Sequence, residues 1–188
     1  MKASDINLEQ SLKFDPEHGL LTFGPQRMVI MSANALFRLS ALIIDIGGVE
    51  TARVFIPRFG EAAGRDDAKL LKEQLSPDTD VDWLAMGPTI HAWEGLVKPS
   101  VDALEMDREA NKFFLQGKWE NSFMAQEYLN VFGPSTEPVC WLLSGYATGY
   151  CSEVFGQPLL CKETMCVAKG DPYCQFTVKS KSEWMADW

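Results

Sequence analysis

The chain is 188 residues long and 46% hydrophobic, which suits one compact domain with an ordinary buried core. Its 17 basic and 26 acidic side chains give a net charge of −9, which argues against direct binding to nucleic acids or anionic membranes. The five cysteines are an odd number and no apolar run occupies the opening MKASDINLEQ, so we expect a cytoplasmic protein without a disulfide framework, whose cysteines bind metal or do redox work.

The first half of the chain is predicted to be mostly helical. Residues 18–24, HGLLTFG, predict a short strand between glycines. A long helix is predicted from about residue 27 to residue 46, ended by the Gly-Gly pair that follows it. Its apolar residues cover more than one face, so we expect it to be buried within the domain or against a second copy of the chain. A second helix, from residue 49 to about residue 75, contains Pro57, which is expected to kink or split it.

The second half predicts strands together with shorter helices. Two strands, LVKPSVDALEMD and NKFFLQGKWENS, are joined by the polar turn DREA, and two more, LLCKETMC and CQFTVKS, flank the turn KGDP. Ser122 is expected to cap a helix that reaches Phe132. Pro138 is expected in the first turn of a helix over residues 137–155. These elements predict an α+β domain with a mixed, largely antiparallel sheet packed with helices.

A glutamate and two cysteines near the C-terminus are of the residue types that bind metal. Glu163 and Cys166 are three residues apart, and the loop VAKGDPY can bring Cys174 back beside Cys166. The best fourth candidate is Cys140, at the predicted start of a helix, where free amide groups favour a thiolate. Four such ligands leave no position for water, so the site would be structural. The spacing alone also fits ordinary reduced cysteines or a redox switch.

The chain has only two histidines, His18 in a turn and His91 in the apolar segment MGPTIHAWEGLV. A lone histidine in such a segment is most often a hydrogen-bonded core residue. Trp119, at the end of a predicted strand, offers an alternative, because an imidazole and an indole N–H can orient a small aromatic hydroxyl compound in an apolar cavity. The sequence contains no serine elbow, Walker loop or GxGxxG fingerprint, so it indicates no nucleotide site.

Taken in chain order, the segments RFG…G, GP…H, WENSF, EPVCW, GYATGY and KE…C…C resemble the effector-sensing domain of aromatic-responsive bacterial transcription activators. These are phenol and xylene regulators of the MopR, DmpR and XylR type, and their domain belongs to the 4-vinyl-reductase class. The resemblance runs from about Phe23 to Trp184. It implies a non-enzymatic sensor that binds phenol or a substituted phenol, forms a homodimer, and relieves the repression of a following ATPase domain.

The same resemblance implies roles for individual residues. His91 and Trp119 match the histidine and tryptophan that hold the phenol hydroxyl in the phenol-responsive members. A structural zinc ion (Zn²⁺) would be held by Cys140, Glu163, Cys166 and Cys174. That ion would clamp a small helix–hairpin subdomain at the C-terminal end of the fold.

The expected pocket lining departs from the family at several positions. Apolar side chains such as Val101 and Tyr150 are expected to enclose the phenol ring. Cys161 stands where phenol sensors tend to have an aromatic residue, Gly117 is small for its position, and Trp93 is bulky. These three residues predict a reshaped cavity.

The resemblance also divides the chain into regions. Residues 1–22 are expected to form an N-terminal arm that could take part in a dimer, and residues 23–180 the sensor domain, with the zinc subdomain at about 137–178. Residues 181–188 would begin a linker to an ATPase domain, followed in a full-length protein by a DNA-binding domain. The chain would then be an excised sensor; alternatives are a stand-alone protein related to tetrapyrrole or vinyl-reductase chemistry, and a dimerisation module with a vestigial pocket.

Overall fold

The computed structural model describes residues 1–186. Its helices are α1 (Leu8–Ser11), α2 (Ala33–Leu75), α3 (Asp80–Trp93), α4 (Phe123–Phe132), α5 (Trp141–Phe155) and α6 (Lys181–Ala186). Its strands are β1 (Leu12–Asp15), β2 (Leu20–Phe23), β3 (Gln26–Arg27), β4 (Lys98–Asp107), β5 (Lys112–Glu120), β6 (Leu159–Met165) and β7 (Cys174–Ser180). Antiparallel sheets packed with helices confirm the predicted α+β class. The predicted linker starts with α6, and its last two residues lie outside the described ones.

The larger sheet contains four strands in the order β4-β5-β7-β6, and each neighbouring pair is antiparallel. Both hairpins of this sheet were predicted from the sequence. Along β5, every second residue is buried: Phe113, Leu115, Gly117 and Trp119. This period of two means that one face of the sheet packs against the helices. Strand β4 lies at the edge and has a bulge between Val101 and Ala103.

Helix α2 differs from its prediction at two points. It begins after the cap Ser32, whose side chain accepts a hydrogen bond from the Ala35 amide, because residues 26–27 are paired in β3 instead of being helical. The predicted break is confirmed at Gly48, whose φ of 77° and ψ of 168° are not helical. The expected split at Pro57 is wrong: the helix continues through this residue, where it packs against α5.

Helices α2 and α5 are in contact along a seam of glycines. A Cβ on Gly60 or Gly64 would overlap backbone atoms of α5 at Leu142 or Tyr146. On the other side, a Cβ on Gly145 would overlap the Pro57 carbonyl oxygen, and Gly149 packs in the same way. The sequence predicted this close approach from the glycine pair of α2. The seam fixes α5, and with it the tyrosines of the segment GYATGY.

Two further elements of the second half differ from prediction. No helix was predicted at α3, which begins after the cap Thr79 and continues past Pro88. Helix α5 begins at Trp141, with Cys140 as its N-cap, so Pro138 precedes the helix instead of lying in its first turn. The cysteine is nevertheless at the helix start, as expected.

The N-terminal residues pack onto the rest of the domain. Ala3, Ile6 and Leu8 are buried in the core, and β1 pairs with β2 in a small three-stranded sheet with β3. The predicted boundary between residues 22 and 23 therefore falls inside β2. Strand β1 was not predicted.

A strip of apolar side chains around the first part of α2 is exposed. Its members are Val29, Ile30, Met31, Leu39, Leu42 and Ile46, of which Ile46 is 87% exposed. In the part of the chain that the structure describes, no helix has both the length and the apolar composition needed to span a membrane.

Candidate functional site

An apolar cavity of about 80 Å³ lies between α3, α5 and strands β4, β5 and β7. Its walls are mostly aliphatic and aromatic, with Leu84 from α3, Leu115 from β5, Leu143 from α5 and Phe176 from β7 among them. A small number of polar groups in an otherwise apolar cavity is typical of a site for a small organic ligand.

His91 reaches this cavity from the last turn of α3 and is almost fully buried. Burial lowers the pKa of its imidazole to about 4, so the ring is neutral at pH 7. A neutral imidazole has one nitrogen that donates a hydrogen bond and one that accepts. The ring packs against Tyr146, with 3.9 Å between the ring centroids. None of the described residues forms a hydrogen bond with the His91 side chain.

Trp119 reaches the same cavity from β5 and is also buried. Its indole stacks on Phe176, with ring centroids 4.8 Å apart and an interplanar angle of 16°. Within residues 1–186, the indole N–H has no hydrogen-bond acceptor. The structure thus brings two polar groups from different elements, both without hydrogen-bond partners, into one apolar cavity.

Two tyrosines of α5 complete the polar part of the lining. The Tyr150 hydroxyl donates a hydrogen bond to the Trp83 carbonyl (2.7 Å) and accepts one from the Gly87 amide (3.0 Å), so only the ring of Tyr150 is presented to the cavity. The Tyr146 hydroxyl is buried and forms no hydrogen bond of normal geometry with a described residue. Burial, followed by the nearby Asp67 carboxyl, raises the pKa of Tyr146.

The remaining predicted pocket residues divide into two groups. Val101 lines the cavity from the edge strand β4 and is 56% exposed, so it lies where the cavity approaches solvent. Trp93, Cys161 and Gly117 do not line the cavity, contrary to expectation.

Each of these three residues has a structural reason for its position. Trp93 follows His91 by two residues, about 200° around the helix, and its indole N–H donates to the Ile6 carbonyl instead. Cys161 is buried in β6, where its amide donates to the Thr148 hydroxyl. Gly117 acts indirectly: a Cβ there would lie 2.8 Å from the ring of Phe176, so its missing side chain makes room for a residue that does line the cavity.

Sequence reasoning missed Tyr146 and Phe176 as parts of the site. The spacing of apolar residues in α5 identified Tyr146 as buried, but a helical period does not distinguish a side chain packed in the core from one that borders a cavity. Phe176 lies in a strand whose pattern gave only burial. The stacking on Trp119 joins residues 57 positions apart in the chain and leaves no local signal.

The four predicted metal ligands lie together beside this cavity. Their candidate ligand atoms are all within 4.8 Å of one another. The Sγ atoms of Cys140 and Cys174 are 3.9 Å apart, as are those of Cys166 and Cys174. A disulfide would require about 2.05 Å. Four ligands around a zinc ion, with Zn–S bonds of about 2.3 Å, place sulfur atoms about 3.8 Å apart, so the donor set fits tetrahedral zinc.

The contacts around Glu163 also fit a cation. Its Oε2 accepts a hydrogen bond from the Cys140 amide at 2.8 Å, whereas its Oε1 is buried and has no partner among the described residues. Burial, followed by the neighbouring Cys166, raises the pKa of this carboxyl to about 8. A buried acidic group of this kind is stabilised in its charged form by a nearby cation.

The cluster is connected to the cavity through two elements. Cys140 caps α5, which carries Tyr146 and Tyr150. Cys174 begins β7 and is paired directly with Trp119 of β5. A metal ion at the cluster would hold the β6–β7 hairpin against the start of α5, next to the residues that shape the cavity.

The family model described as activator of aromatic catabolism matches residues 7–107 of the chain, and the model of the 4-vinyl-reductase domain matches residues 116–180. The phenol regulator MopR of Acinetobacter guillouiae is 35% identical over 178 residues, which are 95% of this chain and 32% of that protein. The transcriptional regulatory protein XylR of Pseudomonas putida is 30% identical over 178 residues, 95% of this chain and 31% of that protein. The chain thus spans about a third of the length of these curated relatives.

A solved structure is similar over almost the whole chain. The phenol-responsive sensory domain of the transcription activator PoxR, crystallised with phenol, superposes with a TM-score of 0.87 at 35% identity. The match covers 95% of this chain and 89% of that one.

Proposed function

The chain belongs to the family of activators of aromatic catabolism, and from this premise we propose that it is a sensor domain that binds phenol or a substituted phenol. The observation that carries the proposal is the pair of His91 and Trp119, two polar side chains without hydrogen-bond partners in an apolar cavity. The domain performs no catalysis of its own. In a longer protein, ligand binding relieves the repression of an ATPase domain, which acts together with a separate DNA-binding domain.

The chemistry of the cavity explains a preference for phenols. A phenol hydroxyl donates to the neutral His91 imidazole and accepts from the Trp119 indole N–H, while the ring contacts apolar side chains such as Val101 and Tyr150. Benzene or toluene would leave both polar groups unpaired in a buried site, at a cost of about 1–3 kcal/mol for each group. The small volume of the cavity favours a single ring over a tetrapyrrole.

Calorimetric titration with phenol tests this function. We expect His91→Ala and Trp119→Phe each to weaken phenol binding by about tenfold or more, because each removes one hydrogen bond to the hydroxyl. His18→Ala and Trp93→Phe are the matched controls, since His18 is exposed in a turn and Trp93 faces Ile6. No heat of binding in the wild type, or equal affinities in all four variants, would contradict the proposal.

We further propose that Cys140, Glu163, Cys166 and Cys174 bind one structural zinc ion. A zinc ion with this closed set of ligands has no free coordination position, so it stabilises the fold and does no chemistry. Cys151, which lines the cavity, and Cys161 are outside the set. The Ser122 hydroxyl, 3.1 Å from the Cys140 sulfur, and the Val167 amide, 3.4 Å from the Cys174 sulfur, position two of the ligands.

Two further properties complete the proposal. The exposed apolar strip around the first part of α2 forms a homodimer contact, because a surface of this composition is stabilised by burial. The net charge of −9 keeps the domain itself away from nucleic acids and anionic membranes, and the reduced cysteines fit the cytoplasm.

A further inference from the structure

The turn of α3 that precedes His91 has an unusual hydrogen-bond arrangement. A regular α-helix joins the amide of Gly87 to the carbonyl of Trp83, four residues earlier. Here both groups are bonded to the Tyr150 hydroxyl, which comes from a different helix 63 positions further along the chain. The next residue, Pro88, has no N–H to donate, so the helix is already weakened at this point.

The packing at this turn is built for the tyrosine ring. Tyr150 is only 2% exposed, and a Cβ on Gly87 would lie 2.7 Å from its Cε2 atom and 2.8 Å from its Cζ atom. The ring therefore rests on bare backbone, and any other residue at position 87 would push it away. The hydroxyl thus reaches the helix backbone because position 87 is a glycine.

Two routes lead from Tyr150 to His91. Along the backbone, His91 follows Gly87 by four residues, one helical turn. Through side chains, Tyr150 stacks on Tyr146 with centroids 5.6 Å apart and an interplanar angle of 17°, and Tyr146 contacts the His91 ring at 3.9 Å. By contrast, Trp119 lies on the sheet and stacks on Phe176. A change at the Tyr150 hydroxyl is therefore transmitted to the imidazole and not to the indole.

We propose that Tyr150 is a positioning residue that sets the place of His91 and so determines specificity for the effector hydroxyl, although its own hydroxyl never contacts the effector. This inference rests on the proposed phenol-sensing function. Without the hydroxyl, the Gly87 amide and the Trp83 carbonyl either close directly on each other or remain unpaired. In both cases the turn that carries His91 shifts.

The test compares two ligands that differ in the hydroxyl. Dissociation constants for phenol and toluene are measured by ligand-observed NMR, which covers the millimolar as well as the micromolar range. In Tyr150→Phe we expect phenol affinity to fall about tenfold, since a misplaced imidazole loses one hydrogen bond, and toluene affinity to change less than about twofold. Tyr128→Phe is the matched control, because this buried tyrosine packs against Phe37 and Trp141, away from the cavity.

A second variant and a second background make the test independent of one mutant. Gly87→Ala should displace the Tyr150 ring and give the same selective loss of phenol affinity. In a His91→Ala background, Tyr150→Phe should have no further effect on the ratio of the two affinities, because the residue acts through His91.

Equal losses for phenol and toluene would overturn the inference, since Tyr150 would then be a general structural residue, and so would an unchanged ratio. If the wild type binds no phenol, the proposed function itself fails.

Discussion

Burial controls the chemical state of the single residues that form the candidate site. His91 is neutral because water is excluded from its surroundings, and a neutral imidazole can accept the proton of a phenol hydroxyl. Glu163 is affected in the opposite direction, because burial raises the pKa of a carboxyl. Its buried Oε1, which has no partner within the described residues, is the clearest sign that a cation belongs there.

The pKa of His91 leads to a prediction about stability. Burial lowers this pKa from 6.5 to about 4 in the folded protein, so between these values only the unfolded chain binds the proton. The free energy of unfolding therefore falls as the pH drops from about 6.5 to 4, by up to about 3 kcal/mol. Urea titrations of the wild type and of His91→Gln over this range measure the difference.

The variant should have a correspondingly flatter profile than the wild type. His18→Gln, which leaves His91 intact, should keep the steep profile. Parallel curves for the wild type and His91→Gln would contradict the assigned pKa.

At the scale of elements, the hairpins were predictable and helix α3 was not. Alternating burial in β5 and the polar turn before it indicate a hairpin locally. Helix α3 contains Pro88 in its interior, which in sequence argues against a helix. The Tyr150 hydroxyl bonds the backbone one residue before Pro88, and this long-range contact cannot be seen in any local pattern.

The glycine seam between α2 and α5 gives a prediction for a single methyl group. Gly145→Ala would place a Cβ against the carbonyl of Pro57, and backbone cannot rotate away as a flexible side chain can. We expect a loss of more than about 2 kcal/mol in the free energy of unfolding. Gly47→Ala is the matched control, since its methyl meets only the side chain of Thr51. Equal stability of the two variants, measured by urea unfolding, would show that the seam can relax.

For the whole molecule, the metal ligands were easier to predict than the cavity. Cysteine and glutamate at short spacing are residue types that bind metal, and a helix start is a recognisable place for Cys140. The cavity lining instead depends on which buried faces meet. His91 and Trp119 were named from their chemistry and a family resemblance, whereas Trp93 and Cys161 were misplaced because their directions depend on a helix and a strand packing that the sequence does not show.

Removal of zinc should affect the entire fold. Cys166→Ser is expected to lose the metal and to unfold or aggregate at lower temperature, because the binding energy of structural zinc contributes to folding. Metal content by mass spectrometry and thermal unfolding are the measurements. Cys161→Ala, a buried cysteine outside the cluster, should retain about one zinc per chain. A stable wild-type protein free of metal would refute the structural role.

The homodimer is tested by a charge in the exposed apolar strip. Ile46→Glu should shift the protein from dimer to monomer in sedimentation velocity, because a carboxylate at a buried contact loses its hydration. Val81→Glu, at an exposed aliphatic residue of α3, should leave the dimer intact. A monomeric wild type would contradict the proposed contact.

A crystal structure of this chain with bound phenol tests the central claim most directly. The phenol is expected in the cavity between α3, α5 and the larger sheet, with its oxygen within hydrogen-bond distance of both the His91 imidazole and Trp119 Nε1. Phenol bound elsewhere, or bound there with its hydroxyl directed away from both side chains, would contradict the claim.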